Sequence, residues 1–260
     1  SLIRMIKYEC SMFTVKDLLQ SDISDVRVGI GRGTDSGHVE NSVRTLNKGS
    51  VKIYDDPKKL IGDLFSGNID AAVRGDMPSN ELLHLLREKA GVKVLERLVI
   101  MEPLRGRTFF MAPVGIDEGN TVEEKYRIAV RAIKLMKEMG AGTKIAVMSG
   151  GRNGDRGRIK AVDASIDDAE KLVAMLKKEG YDAYNAEILI ESATEEADLI
   201  IAPDGVTGNL IFRTLHFIGG AVALGAPVLN IDKVFVDTSR VKIDYMDSII
   251  LAAKLAEDKR

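Results

Sequence analysis

Residues 197–220 read Ala-Asp-Leu-Ile-Ile-Ala-Pro-Asp-Gly-Val-Thr-Gly-Asn-Leu-Ile-Phe-Arg-Thr-Leu-His-Phe-Ile-Gly-Gly. The first six residues, 197–202, form a short apolar run that is typical of a buried strand. After the polar turn at 203–209, apolar residues recur at helical spacing, and the paired glycines at 219–220 indicate where the helix ends. This stretch therefore predicts a strand, a tight turn and a helix.

The turn in this stretch is a candidate anion-binding site. Gly205 and Gly208 allow the backbone to bend and a ligand to approach closely. Amide groups exposed at the start of the helix, from about Gly208 onward, favour a negative charge, and Arg213 adds a positive charge one turn into the helix. A strand-to-helix connection that uses glycine only to turn explains the same residues equally well.

Composition limits the classes to which this protein can belong. The 260 residues are 45% hydrophobic and 29% charged, which suits one large α/β domain or two smaller lobes. The net charge of −2 argues against a nucleic-acid-binding surface. No apolar stretch approaches the ~20 residues that cross a bilayer, and residues 1–7 lack the features of a signal peptide. We therefore expect a cytoplasmic protein with neither nucleic-acid nor membrane partners.

The cysteine and histidine content argues against disulfides and metal sites. Cys10 is the only cysteine, which excludes an internal disulfide. His38, His84 and His216 lie far apart in the sequence, without the spacing of metal ligands. We expect no metal, and we interpret His216 as a structural residue of the helix after the turn.

Short apolar runs alternate with helical patterns along the whole chain. This alternation predicts a parallel sheet flanked by helices, and in such sheets ligands bind beyond the carboxyl ends of the strands. Three polar or glycine-rich strand ends compete for that role, at residues 31–37, 149–157 and 204–209.

The loop after the strand at 144–148 is strongly basic. Within nine residues it contains Arg152, Arg156, Arg158 and Lys160, interspersed with glycines. Arginine recognises phosphate through several donors, and glycine-rich backbone can form an anion-binding concavity. A solvated loop would also be charged, but it has no need for so much glycine directly after a buried strand. We therefore favour anion binding here.

Two further clusters have weaker support from their residues. Residues 237–240, Asp-Thr-Ser-Arg, place a hydroxyl beside a guanidinium, and Asp244 and Asp247 follow as candidate general bases. Equally, Ser239 would cap a helix and the two aspartates would favour its first turn. Residues 29–33, Gly-Ile-Gly-Arg-Gly, resemble the glycine fingerprint of nucleotide or S-adenosylmethionine sites, with Asp55 where a ribose-binding acid would lie. By itself, the first cluster favours a structural role. The second gives only weak support for a nucleotide-binding enzyme.

Taken together, these loops resemble those of a known group of enzymes. Phosphate acetyl- and butyryltransferases have a Pro-Asp-x-x-x-Gly-Asn-x-x-x-Lys segment and an Asp-x-Ser-Arg segment, which correspond to residues 203–213, with Arg213 in the place of lysine, and to 237–240. The Asp-Gly-x-Thr-Gly-Asn form also resembles the phosphate acyltransferase of bacterial phospholipid synthesis. Over its full length the chain is similar to a family of methanogenic archaea called MtxX, or methanogenesis marker protein four, which is labelled as a methyltransferase.

Two shorter segments extend this resemblance. Ser149 and Gly154 match the Ser-x-Ser-x-x-Gly loop of the wider family, with Gly151 in the place of the second serine. Residues 70–75 correspond to its Asp-Gly-x-Val-Ser-Gly strand end, with Arg74 in the place of serine. The arginine that the family has in the following helix has no clear equivalent, which weakens the case for unaltered acetyl-phosphate chemistry.

The resemblance implies an architecture and a location for the site. The fold would be a two-lobed three-layer α-β-α sandwich of the isocitrate/isopropylmalate dehydrogenase type, as in phosphate acetyltransferases. The first lobe would comprise residues 1–103 and 234–260, the second lobe residues 104–233, and the site would lie in the cleft between them. The resembled enzymes are homodimers, and we expect the same here.

The resemblance also implies roles for individual residues. Ser239 and Arg240 would contact a thiol cofactor and phosphate, with Asp247 or Asp244 as the base. The substrate- or anion-binding residues would be Asp204, Thr207, Gly208, Asn209, Arg213, Ser149, Gly151, Arg152, Gly154 and Arg74. In particular, we expect Asn209, Ser239 and Arg152 to share one groove.

The implied function is that of a transferase. It would move a methyl or acyl group to or from a thiol cofactor, coenzyme A or another thiol coenzyme, or phosphate. A phosphate acetyl- or acyltransferase proper is one alternative. A non-catalytic sensor of a phosphorylated metabolite is another.

Overall fold

A computed structural model describes residues 14–33, 37–46 and 49–259 of this chain. Cys10, residues 1–7 and part of the 31–37 loop, on which some of the expectations above rest, lie outside the described residues. Among the helices that the structure describes, none combines the length and apolar character needed to cross a membrane.

Strands and helices alternate along the described chain. The α-helices are α1 (Val15–Leu19), α2 (His38–Leu46), α3 (Pro57–Ser66), α4 (Ser79–Ala90), α5 (Val122–Glu138), α6 (Lys160–Lys178), α7 (Ile190–Glu196), α8 (Gly205–Arg213) and α9 (Met246–Glu257). The strands are β1 (Arg27–Gly31), β2 (Ser50–Tyr54), β3 (Ala71–Val73), β4 (Val99–Glu102), β5 (Phe109–Ala112), β6 (Ile145–Met148), β7 (Ala183–Glu187), β8 (Leu199–Ile201), β9 (Val222–Ala223), β10 (Ala226–Pro227) and β11 (Val234–Asp237).

Helix ends follow local chemistry. Helix α3 begins after Asp56, whose carboxylate accepts from the amide of Lys58, and has Pro57 at its first position. It ends at Gly67, which adopts the left-handed conformation that glycine tolerates best. Helix α5 begins in the same way, because the Thr121 hydroxyl accepts from the amide of Glu124.

The strands that the structure describes form two sheets. The first has the order β10-β11-β3-β1-β2, parallel except for the β10–β11 pair. The second has the order β7-β6-β8-β5-β4-β9, parallel from β7 to β5 and antiparallel at β4 and β9. The parallel strands need crossover helices, which accounts for the alternation seen in the sequence.

Helices cover both faces of each sheet. In β3, Ala71 and Val73 join the core that includes α9, whereas Ala72 faces the core built on α3 and α4. In β8, Leu199 and Ile201 join the core that includes α5, whereas Ile200 faces the opposite side. Because successive strand residues point to opposite faces, both sheets are buried on both sides. The predicted layered α/β architecture is confirmed.

Sheet membership differs by one strand from the expected lobes at each junction. Strand β4 pairs with β5 in the second sheet, although residues 99–102 fall inside the expected first lobe. Strand β10 pairs with β11 in the first sheet, although residues 226–227 fall inside the expected second lobe. Both pairs are antiparallel neighbours joined by short connections, which favour local pairing. The division into lobes itself remains a prediction.

Candidate functional site

A cleft of about 200 Å³ lies where the two sheets meet, and we call it the intersheet cleft. Arg74 follows β3, Val114 follows β5, and Thr238 follows β11. Strand β4 runs antiparallel to β5, so its beginning lies at the same edge. The polar and aromatic side chains that line the cleft are Arg74, Arg97, Asn209, Phe212, Arg213, His216, Asp237, Thr238, Ser239 and Lys242.

A chain of buried ion pairs forms one wall of the cleft. Arg74 Nε lies 3.0 Å from Asp237 Oδ1, and Arg97 Nη1 donates to Asp237 Oδ2 at 2.8 Å. Arg97 Nε also donates to Glu118 Oε1 at 2.5 Å. The Glu118 side chain has 0% exposure and that of Arg97 has 15%. Two arginines from different elements are therefore fixed in the cleft by carboxylates.

Burial of these ion pairs shifts the pKa values of the groups that form them. Burial raises the pKa of the Glu118 carboxyl, and the nearby Arg97 charge opposes this shift only in part. Burial also disfavours the Arg97 charge, but Asp237 and Glu118 outweigh it, so the pKa of the Arg97 guanidinium lies above its ordinary value. Arg97 therefore keeps its positive charge at the cleft wall.

One contact among these ion pairs, between Arg74 and Asp237, is poorly aligned. Arg74 Nε and Asp237 Oδ1 are buried, and within the described residues neither atom makes a hydrogen bond, despite their 3.0 Å separation. The backbone holds Arg74 in place, because its amide donates to the carbonyl of Val236 at 3.0 Å. Buried polar atoms without a hydrogen bond are uncommon in native proteins, so this pair is an exception within the cleft wall.

Lys242 adds a third fixed cation. Its Nζ donates to the carbonyl oxygen of Ala223 at 2.8 Å and lies 2.6 Å from Asp247 Oδ1 and 3.2 Å from Ser248 Oγ. These partners use the three hydrogens of the ammonium group. Asp247, a predicted base, is thus held by Lys242 and is absent from the described residues that line the cleft.

The other predicted base, Asp244, has a structural position. It is exposed, and its Oδ1 accepts from the amide of Met246 at 2.9 Å and from the hydroxyl of Ser42 at 3.3 Å. The carboxylate therefore satisfies an amide at the start of α9. In the part of the chain that the structure describes, Asp244 does not line the cleft.

The Asp-Thr-Ser-Arg segment reaches the cleft through three of its residues. Asp237, Thr238 and Ser239 line it, and the buried Thr238 hydroxyl donates to the carbonyl of Gly75 at 2.7 Å. Within the described parts of the chain, the one hydrogen bond to Ser239 Oγ is a long one, 3.4 Å, from the amide of Val241. Its hydroxyl hydrogen is therefore available to a ligand. Arg240 is exposed and lies outside the set of described residues around the cleft.

The turn at 203–209 binds its own neighbours through its amides. The Asp204 carboxylate accepts from the amide of Thr207 at 2.7 Å, and the Gly208 amide donates to the Asp204 carbonyl at 3.0 Å. The Gly205 amide donates to the carbonyl of Glu118 at 3.1 Å. The amides of the first turn that the sequence assigned to an anion thus already have protein partners.

The glycines of this turn serve close packing. A Cβ at Gly205 would collide with the carbonyl oxygen of Gly115, and one at Gly208 with that of Pro113. The start of α8 therefore lies directly against the loop after β5. The sequence analysis expected a ligand to approach these glycines closely, but here the backbone of the loop after β5 does so.

Helix α8 and its continuation separate two cavities. Asn209, Phe212, Arg213 and His216 line the intersheet cleft, and Asn209 Nδ2 donates to the carbonyl of Val114 at 2.9 Å. Residues three or four apart share a helix face, so the opposite face of α8 points away from the intersheet cleft.

A second cavity of about 400 Å³ lies on that opposite face. It is lined by Ser149, Ser165, Asp204 and Thr207 among apolar side chains. Ser149 Oγ donates to the carbonyl of Gly151 at 2.8 Å, and Ser165 Oγ accepts from the amide of Gly150 at 2.8 Å. Ser149, Asp204 and Thr207 therefore lie away from the cleft that holds Ser239, and the predicted anion-binding residues are divided between two cavities.

The basic loop is an exposed surface with its own counter-ions. Arg156 pairs with Asp167 and Glu170 of α6 at 2.6 and 3.0 Å, and Arg158 pairs with Asp155 at 2.7 Å. Arg152 is exposed, and among the described residues it borders neither cavity. Gly154, next but one to it, is exposed as well. The structure thus brings Asn209 and Ser239 to one groove, but not Arg152.

The glycine loop after β1 is explained by local packing. Arg32 donates to Asp55 at 2.6 Å and to Glu40 at 2.6 Å, so the acid expected to bind a ribose forms an ion pair. A Cβ at Gly75 would collide with the carbonyl oxygen of Gly31. The loops after β1 and β3 therefore pack against each other.

Three ionisable residues of the cleft were not predicted from the sequence. Arg97 and Lys242 were assigned no role, and His216 was interpreted as structural. A signal for Arg97 exists, because it follows Glu96 inside an otherwise apolar run. Lys242 and His216 have no such signal, since their position depends on how distant segments meet.

Comparisons with known proteins identify several relatives of this chain. No model of a known protein family matches the chain. It is 43% identical over 203 residues to "Putative methyltransferase mtx subunit X" of Methanosarcina mazei, covering 78% of this chain and 72% of the relative. It is 35% identical over 223 residues to an uncharacterized methyltransferase of Methanocaldococcus jannaschii, covering 83% and 91%. A phosphate acetyltransferase of Nitratidesulfovibrio vulgaris is 23% identical over 76% of this chain and 29% of that protein.

Solved structures share the fold at low sequence identity. A branched-chain phosphotransacylase from Enterococcus faecalis aligns with a TM-score of 0.67 and 16% identity, covering 93% of both chains. A phosphotransacetylase from Streptococcus pyogenes aligns with a TM-score of 0.67 and 16% identity, covering 94% of this chain and 100% of the other. These likenesses confirm the fold that the sequence predicts.

Proposed function

The chain belongs to the family that includes the mtx subunit X proteins of methanogens, and from that premise we propose that it is a transferase that binds a phosphate-bearing substrate in the intersheet cleft. The second reactant is a thiol, coenzyme A or another thiol coenzyme. The group that moves is a small acyl or methyl group. The acyl version is the one that the cleft residues favour.

The observation that carries this proposal is the convergence of cations on the cleft. Arg74, Arg97, Arg213 and Lys242 come from four separate segments and line one cavity together with Ser239. Guanidinium groups bind phosphate oxygens through several hydrogen bonds. Among the described residues Arg213 has no carboxylate partner, and its guanidinium lies 5.2 Å from the centre of the Phe217 ring. It is therefore the cation most available to a ligand.

The chemistry uses the groups around this anion site. Arg213, together with Arg74 and Arg97, holds the phosphate. The Ser239 hydroxyl donates to the oxygen on which charge develops, as donors in an oxyanion site do. Arg240 and Asp247 remain secondary candidates for contacts to the thiol cofactor.

The test of the acyl version is direct. The protein is incubated with acetyl phosphate and coenzyme A, and acetyl-coenzyme A is quantified by chromatography. We expect formation by the wild-type protein and a loss of about 100-fold in Ser239→Ala, as for the removal of an oxyanion donor. Ser165→Ala, in the second cavity, is the matched control and should retain activity. A wild-type protein that forms no acetyl-coenzyme A would contradict acyl transfer.

The methyl version is the second candidate because of the names of the relatives, which are called methyltransferases. It predicts methyl transfer from S-adenosylmethionine or a methyl-corrinoid to a thiol. Mass spectrometry of the thiol product tests this. A non-catalytic sensor predicts binding of phosphate or coenzyme A in the cleft without turnover of either kind. Ligand binding that survives in Ser239→Ala, with no product from any donor, would favour the sensor.

The assembly and cellular location are part of the same proposal. We propose a cytoplasmic homodimer with two lobes, as in the resembled enzymes. Exposed apolar side chains on and beside α8, among them Leu210 and Ile218 at 61% and 84% exposure, would suit an interface between copies. Light scattering on the purified protein measures the mass, and a monomeric mass at micromolar concentration would contradict the dimer.

A further inference from the structure

His216 lies in an unusual helical turn on the wall of the cleft. The segment Thr214–Ile218 is a π-helix that continues α8 directly. Such turns are rare and occur frequently at functional sites. His216 lines the intersheet cleft together with Phe212 and Arg213, so the π-helical turn places an imidazole beside the proposed phosphate site.

The ring of His216 is held in one orientation. Its Nδ1 lies 2.8 Å from the carbonyl oxygen of Ala221, and a carbonyl oxygen can only accept, so in the neutral ring Nδ1 bears the hydrogen. The ring also stacks on Phe212, with centroids 5.7 Å apart and planes 13° apart. Nε2 is therefore left as a proton acceptor whose direction is set by the fold.

The other acidic or basic groups at the cleft are less suited to accept a proton. Asp247 is paired with Lys242 at 2.6 Å, and Asp244 lies outside the cleft lining in the described structure. Asp237 lines the cleft but lies between Arg74 and Arg97. The charged groups that share the cleft with His216 are Arg213 on its own helix, Arg74, Arg97 and Asp237 from the strand ends, and Lys242 from the segment before α9.

We propose that His216 Nε2 is the general base of the cleft, an inference that rests on the proposed acyl transfer to a thiol. Nε2 takes the proton from the S–H group, and the sulfur attacks the acyl carbon. The bond between that carbon and the phosphate oxygen breaks, and the phosphate leaves with the electron pair. The proton passes from the imidazolium to the phosphate or to solvent, which restores the neutral ring.

The kinetic test compares His216→Gln with His84→Gln, an exposed histidine of α4 away from the cleft. We expect kcat/KM for acetyl phosphate and coenzyme A to fall about 100-fold in His216→Gln, which is the lower end for loss of a general base, and to stay unchanged in His84→Gln. The rate of the wild-type protein should fall as pH decreases, because the protonated ring cannot accept, and this acid limb should disappear in His216→Gln. Added imidazole should restore part of the rate in His216→Ala.

Binding separates this inference from the proposed function. Calorimetry should show that His216→Gln binds coenzyme A within about threefold of the wild-type affinity. If the wild-type protein transfers acetyl groups and His216→Gln retains both rate and acid limb, the base assignment is overturned and the transferase stands.

If no acetyl transfer is seen, nitrogen-15 NMR of the three histidine rings tests the assignment of His216 as the base. His216→Gln identifies the signal, which should show hydrogen on Nδ1 and should shift when coenzyme A is added. A ring with hydrogen on Nε2, or a ring that coenzyme A leaves unchanged, would overturn the assignment without reference to activity.

Discussion

The intersheet cleft and the basic loop at 149–160 are both rich in arginine, but they differ in how their charges are arranged. The loop concentrates its cations within nine residues, and Arg156 and Arg158 are neutralised there by nearby acids. The cleft collects Arg74 and Arg97 from segments at the edges of two sheets and Arg213 from helix α8. Density of charge along the sequence therefore says little about which cations share one cavity, and the way in which distant segments meet says more.

The difference has a physical cause. Side chains on an exposed loop move freely and find nearby acids in a solvent that screens their interaction, so each pair contributes little. Charges at buried strand ends are desolvated, and each must be matched by a fixed partner. The pairing of Arg97 with Glu118 is of this second kind. Four comparisons of the two regions test this account.

The largest expected effect is on stability. Arg97→Met leaves the Glu118 carboxylate buried without its partner, and we expect the free energy of unfolding to fall by about 3–5 kcal/mol. Arg156→Met removes a surface pair and should cost less than about 1 kcal/mol. Urea denaturation of both variants measures the difference. Equal losses would show that the two ion pairs are energetically alike.

Glycine substitutions give the next largest effect. In Gly208→Ala the new methyl group meets the carbonyl oxygen of Pro113, and we expect a loss of about 1–3 kcal/mol from overpacking, although alanine normally stabilises a helix. In Gly154→Ala nothing lies within 4 Å of the new Cβ, so stability should be unchanged or slightly higher. Thermal unfolding compares the two, and a stable Gly208→Ala protein would contradict the packing.

Anion affinity should separate the regions as well. We expect Arg213→Met to bind coenzyme A and inorganic phosphate about tenfold more weakly, or about 1.4 kcal/mol, because a charge-assisted hydrogen bond is lost. Arg152→Met should bind both as the wild-type protein does, since Arg152 borders neither cavity. Isothermal titration calorimetry makes the measurement. A weaker Arg152→Met protein would return the anion site to the loop.

The smallest effect is in the titration of two carboxyls. Burial raises the pKa of Glu118 above its ordinary value of 4.5, so its contribution to stability is present at acid pH and is lost as pH rises through the raised pKa. Bonds from the Arg152 amide and the Arg158 side chain lower the pKa of Asp155 below 3.8, so its contribution is present above that value and is lost as pH falls through the lowered pKa.

Carbon-13 NMR of the side-chain carboxyls checks both directions. Glu118→Gln and Asp155→Asn assign the two signals. If the pKa values of the two carboxyls are shifted in the same direction, the loop and the cleft wall solvate their acids alike.

Much of the fold could be predicted because it follows from local pattern. The run at 197–202 forms strand β8, and the glycine pair at 219–220 lies just beyond the helical segment. The single helix expected there is instead an α-helix continued by a π-helical turn. The segment from Val92 to Met101, which suggests one or two strands, contains one strand that begins only at Val99. Pairing partners, and hence sheet membership, depend on contacts that a single segment does not encode.

The site could be predicted only in part. Arg74 and Ser239 reach the cleft because each lies just beyond the carboxyl end of a strand, where parallel sheets bind ligands. Asn209 reaches it from helix α8, which follows strand β8. The roles of Gly205 and Gly208 could not be foreseen, because their neighbours in the loop after β5 are about 90 residues earlier in the chain. The sequence predicts only a structural role for His216, because nothing in its own helix indicates which cavity the helix borders.

The order of strands in the first sheet also bears on how the molecule is made. Strand β11 pairs with β3, and the segment that follows β11 completes the cleft with Ser239 and Lys242. During synthesis, the early strands leave the ribosome long before that partner exists, and pairings of such large sequence separation form slowly. A growing chain therefore cannot complete the intersheet cleft until its later strands dock, and the β3 edge that β11 covers stays open until then.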